Sequence, residues 1–140
     1  MDDWKKKAIG SKRRDLFKLC HKKLPAQFYA SDADLVLISK VPPGIVAYLD
    51  YKHPADSVTF AEVILYNVWM QSAPVYLIQG DDPERGPFDV YQYLGGDYRP
   101  SIPTIVKKRV AHLSNWDDFR KWETRLRIQY RDGIPQHEAT

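Results

Sequence analysis

The chain contains a single cysteine, Cys20, so no disulfide can close within it and no multi-cysteine zinc site can be built. It also lacks an apolar run long enough to span a bilayer, since the longest, around Val63–Met70, is broken by Asn67. The opening residues do not place a basic stretch before an apolar core, which is the pattern of a secretory leader. His21, His112 and His137 are scattered without the spacing of zinc ligands, and no serine, histidine and acid arrangement suggests triad hydrolysis. Gly95-Gly96 lacks the strand-to-helix setting of a phosphate loop and reads as a hairpin turn. No repeat or low-complexity segment interrupts the pattern. What remains is a chain of 140 residues, 44% hydrophobic and 28% charged, which is the composition of one globular domain. The expectation is a cytoplasmic protein held by packing, with a single domain over 1–131 and a loose tail over 132–140.

The net charge of +3 becomes informative when divided along the chain. Residues 1–23 carry nine Lys and Arg against three acids, and residues 106–132 carry eight against four. Between them, residues 24–105 hold four basic and ten acidic side chains. Two basic arms around an acidic centre could grip a polyanion while holding a divalent cation, although solvated helix faces give the same tally.

Periodicity gives a mixed order of elements. Leu16, Phe17, Leu19, Cys20 and Leu24 share a helical face after Ser11, and Pro25 ends that helix. Extended segments are expected over Phe28–Ser39 and Ile45–Lys52, joined at Pro42-Pro43-Gly44. Thr59-Phe60-Ala61-Glu62 fits a capping box and opens a helix to about Gln71. Strands follow at Pro74–Gln79, Phe88–Leu94 and Thr104–Leu113. Ser114 is read as the cap of a last helix, Asn115–Ile128, with Trp116, Phe119, Trp122 and Leu126 at helical spacing. That stripe suits a core or a dimer contact better than base stacking. An α/β fold around one sheet is predicted.

Residues two apart share a strand face, so Asp50 and Lys52 should project together with Val46 and Tyr48, leaving Ile45, Ala47, Leu49 and Tyr51 to the core. By the same rule Asp32 and Asp34 share a face, and pairing the two strands could bring Asp34 near Asp50 and Lys52. Carboxylates set in apolar strands are costly unless paired, protonated or bound to metal. Two converging acids make a hard oxygen site suited to Mg²⁺, and a neighbouring lysine can orient water and stabilise charge on phosphorus. A strand-end ion pair of Lys52 with Asp34 or Asp50 is the plainer alternative. Lys107, Lys108 and Arg109 form a basic run fit either to contact a phosphate backbone or to guard a sheet edge.

Asp34 with its apolar run, followed by Asp50-Tyr51-Lys52, resembles the PD-(D/E)xK nuclease superfamily. Val46-Ala47-Tyr48-Leu49-Asp50-Tyr51-Lys52 is most similar to its RecB-like exonuclease branch, and Glu62 and Tyr66 stand at the spacing of that branch's helical glutamine and tyrosine. The likeness covers about residues 11–94. It implies a restriction-endonuclease-like mixed sheet flanked by helices, an αβββαβ-type core with a C-terminal strand and helix added. It further implies a Mg²⁺- or Mn²⁺-dependent deoxyribonuclease, with DNA as substrate and RNA as a lesser alternative. Asp34 and Asp50 would bind the metal with the Tyr51 carbonyl, Lys52 would position water, and Glu62 and Tyr66 would support the site. Asp32 is an alternative to Asp34, and Glu62 stands where the branch has glutamine, so metal binding, substrate contact and helix capping all stay open for it. Arg13, Arg14, Lys107, Lys108 and Arg109 are the expected nucleic-acid contacts. A chain this short would draw specificity from a homodimer or a partner subunit, and the rival reading is a binding or assembly subunit that keeps the fold without cutting.

Overall fold

A computed structural model describes residues 35–133 of the protein. Strands β1 (Leu35–Lys40) and β2 (Pro43–Lys52) form a hairpin, and helix α1 (Phe60–Trp69) then carries the chain to β3 (Val75–Gln79). β3 pairs parallel to β2, as a helical crossover permits, and β4 (Phe88–Asp97) and β5 (Thr104–Leu113) continue the sheet antiparallel in the order β1-β2-β3-β4-β5. Helix α2 (Trp116–Arg131) ends the described chain. The protein is therefore an α/β fold built on a five-stranded mixed sheet with two helices, and among the described residues no helix is long and apolar enough to cross a membrane.

Both faces of the sheet carry a core. On one, Phe119, Trp122 and Leu126 of α2 pack on Ala47, Leu49, Tyr76, Ile78, Phe88 and Val90. On the other, Tyr66 of α1 packs among Tyr48, Val75, Leu77 and Tyr93, with Trp69 stacked flat on Tyr48 at 4.6 Å between centroids. Tyr48 is thus core too, and the expected division of β2 into one polar and one apolar face is corrected. The alternation also slips: Leu37 pairs with Ala47 but Ile38 with Ile45, so Val46 is an extra residue in a bulge. Val46 consequently joins the α2-side core while Ile45 turns to the α1 side with Tyr48. From Ala47 onward the predicted alternation holds.

Three boundaries differ from the sequence expectations. Gly95 and Gly96 do not make a turn but extend β4, pairing with Val106 and Ile105 beyond a bulge at Tyr93/Gly95. Gly95 has φ +128°, a backbone that side-chained residues avoid, which is how the strand absorbs the extra residue and continues. The cap of α2 is Asn115, whose side chain accepts from the Asp118 N–H, and the Ser114 N–H instead donates to the Asp118 carboxylate at 3.1 Å. Trp116 is half exposed and donates its indole N–H to the Pro83 carbonyl, so only Phe119, Trp122 and Leu126 of the stripe are core.

Candidate functional site

The carboxyl end of β2, Asp50–Lys52, runs beside Leu77–Gln79 of β3 and lies under the first turn of α1, where Glu62 meets Lys52. Asp50 is buried, with only 6% of its surface exposed, on the α1 side of the sheet beside Tyr48 and Lys52. A carboxylate at that depth needs partners, and Tyr66, one turn after Glu62 in α1 and wholly buried, donates its hydroxyl to Asp50 Oδ2. The same hydroxyl stands 3.1 Å from Glu62 Oε2. A phenol has one proton and can satisfy one acceptor at a time, so the two carboxylates share a single hydroxyl.

Lys52 pairs directly with Glu62 Oε2, both side chains being well shielded at 14% and 12% exposure. The other Glu62 oxygen faces the helix start, accepting from the Thr59 N–H at 3.0 Å and the Thr59 hydroxyl at 3.1 Å. Thr59 accepts in turn from the Glu62 N–H at 3.2 Å, completing the capping box read from the sequence. Glu62 therefore caps the helix and serves the site at once. Burial by itself would raise its carboxyl, but the Lys52 hydrogen bond, the Thr59 N–H, the Lys52 charge and the Tyr66 hydroxyl together hold it below the ordinary value. Burial, then the neighbouring Asp50 and Glu62, pushes the Tyr66 phenol far up, so it remains a proton donor throughout the working pH range.

Of the residues expected from the sequence, Asp50, Lys52, Glu62 and Tyr66 come together. Asp34, Asp32, Arg13 and Arg14 lie outside the described residues. The Leu35–Leu49 pair that opens β1 does bring the start of that strand alongside the end of β2 where Asp50 sits. The Tyr51 ring turns to the opposite face, where its hydroxyl donates to the Gly80 carbonyl, leaving only its backbone for the role the resemblance implies. Among the described residues no group of three or more His, Cys, Asp and Glu side chains is close enough to hold a metal ion. The two carboxylates whose oxygens meet at one hydroxyl, Asp50 and Glu62, are of the hard oxygen kind that a divalent cation takes.

The sheet register brings in residues that sequence spacing did not reveal. Lys52 lies opposite Gln79, Gln79 opposite Asp89, and Asp89 opposite His112, so these four form a row across β2–β5 on the α1 side. His112 Nδ1 is 2.8 Å from Asp89 Oδ1, and Arg109 reaches the same oxygen at 3.9 Å. No signal short of strand pairing could have joined Lys52 to His112. His53 is taken up by its own loop, with Nδ1 accepting from the Ala55 N–H at 3.1 Å and Nε2 3.3 Å from Asp81. No family model, curated protein or solved structure matches the chain.

Proposed function

We propose that the protein is a metal-dependent nuclease of PD-(D/E)xK type that hydrolyses DNA phosphodiester bonds. The observation that carries the reading is the meeting of Asp50 and Glu62 at the Tyr66 hydroxyl with the Lys52 ammonium alongside. A strand–helix–strand crossover with its polar groups at the carboxyl ends of two parallel strands is where open α/β sheets place their ligands. The restriction-endonuclease-like arrangement is supported by the order hairpin, helix, parallel strand, with the acid-x-lysine at the end of the hairpin's second strand.

In this reading a bound Mg²⁺ supplies Lewis-acid polarisation of the phosphoryl oxygen and lowers the pKa of a coordinated water. Asp50 would hold that ion from its buried strand, and the resemblance gives it Asp34, outside the described residues, as its second carboxylate. Tyr66 holds Asp50 in place and keeps Glu62 turned toward the site. Lys52, a donor only, directs its ammonium at the oxygen of the incoming water and at the negative charge gathering on phosphorus.

The test is a plasmid-nicking assay with Mg²⁺ or Mn²⁺ on the wild type, Asp50→Asn and Lys52→Met. Metal-dependent cutting that falls at least a hundredfold in both variants is the expected result, in line with the loss of a transition-state charge contact. Cutting that survives both substitutions removes the site. DNA binding without any cutting turns the reading toward a binding subunit in which Lys52 and Glu62 are only an ion pair.

A further inference from the structure

The basic run of β5 is not one patch. Lys107 and Arg109 lie opposite Tyr93 and Tyr91, and Lys108 lies opposite Gln92. Tyr91 and Tyr93 belong to the α1-side core, so Lys107 and Arg109 share the face that holds Asp50 and Lys52, while Lys108 points to the other side. The bulge at Val90/Tyr91 puts Val110 in as an extra residue and returns His112 to the α1 side as well. Lys107 Nζ sits 4.2 Å from the centroid of the Tyr91 ring, and Asp89 draws on both Arg109 and His112, so these side chains are positioned rather than loose. Arg109 and His112 keep 64% and 54% of their side-chain surface in solvent, which leaves them able to take a ligand.

From Lys52 to His112 is three strand spacings of about 4.8 Å, roughly 14 Å along one row. We propose that Lys107, Arg109 and His112 form a phosphate-backbone subsite for the nucleic-acid strand that enters the Asp50–Lys52 site, and that Lys108 takes no part. The identity of the polyanion rests on the nuclease reading; the sorting of the three basic residues by face does not. Contacts of this kind fix the strand's course over the sheet without reading its bases.

The experiment measures binding of a fluorescein-labelled single-stranded DNA oligonucleotide to the full chain in EDTA, over a salt series. Lys107→Ala, Arg109→Ala and Lys108→Ala each remove one positive charge, so any difference among them reports position. Lys107→Ala and Arg109→Ala are each expected to weaken binding several-fold, and their combination to flatten the slope of log K against log salt by about 1.4. Lys108→Ala is expected to match the wild type in affinity and slope. Equal losses from all three, unchanged binding by the Lys107/Arg109 pair, or no binding by the wild type overturns the subsite. Face-selective binding in a chain that never cuts would keep the subsite and end the nuclease reading. Lys52-dependent cutting with no face selectivity would do the reverse.

Discussion

Replacing Lys52 with methionine keeps most of the aliphatic stem and removes the ammonium, so its effect isolates the pairing with Glu62. Both side chains are shielded, at 14% and 12% exposure, so the loss is not the near-zero loss of a solvated surface pair. It is also smaller than for a fully buried pair, because Glu62 keeps the Thr59 N–H and the Thr59 hydroxyl as donors. A hydrogen bond to a charged group contributes about 1.5–3 kcal/mol, and a destabilisation of about 2 kcal/mol at pH 7 is expected. The pH dependence carries the sharper content. Glu62 is held below its ordinary value of 4.5, so its contribution to stability is present above that value and is lost as pH falls through the lowered one. The gap between wild type and Lys52→Met should therefore be widest near neutrality and close on acidification below the ordinary carboxylate range. In the variant, burial acts on Glu62 without the Lys52 charge to oppose it, so its carboxyl should titrate higher than in the wild type. Urea denaturation at a series of pH values, followed by tryptophan fluorescence, measures both effects. A gap below about 0.5 kcal/mol at pH 7, or one that stays constant into acid, refutes the account of this pair.

Tyr66→Phe removes the hydroxyl from between two carboxylates without opening a cavity and should cost about 1.5–3 kcal/mol, with metal-dependent cutting reduced in the nicking assay. Gly96→Ala should destabilise by about 1–3 kcal/mol in the same denaturation experiment, because the new methyl would stand 2.7 Å from the Thr104 carbonyl and 2.7 Å from the Tyr93 hydroxyl. Trp122→Ala, which removes an edge-on partner of Tyr76 at 5.2 Å and empties the α2-side core, should cost about 3–5 kcal/mol and leave residual activity per folded molecule unchanged.

Much of this fold is legible because its signals are local. The Thr59–Glu62 capping box, the β-branched and aromatic runs of β2 and β3, and the helical spacing of Phe119, Trp122 and Leu126 act over a few residues, and the structure repeats them. What escaped depends on partners distant in sequence. Nothing in Ile45–Leu49 announces that Val46 will be an extra residue, since the bulge arises from how β1 pairs with it. Alternation separates Lys108 from Lys107 and Arg109, but only the β4–β5 pairing shows that the latter two face α1, and only the bulge at Val90/Tyr91 brings His112 to the same side. The resemblance points to Glu62 and Tyr66, yet the ion pair to Lys52 and the shared hydroxyl at Asp50 follow from the parallel crossover that sets α1 over β2. Asn115 displaced Ser114 as a cap because either residue can fill that role and only the chain's path chooses.

The two oxygens of Glu62 tie the start of a helix to the chemistry beneath it, each like a separate bolt. Whatever draws Lys52 away, an incoming phosphate for instance, frees only one oxygen of that carboxylate, because the helix end is sealed by the other. A glutamine at this position would still close the seal through its carbonyl oxygen but would release the lysine. Substitution there trades grip on Lys52 for freedom of Lys52 while the helix stays shut.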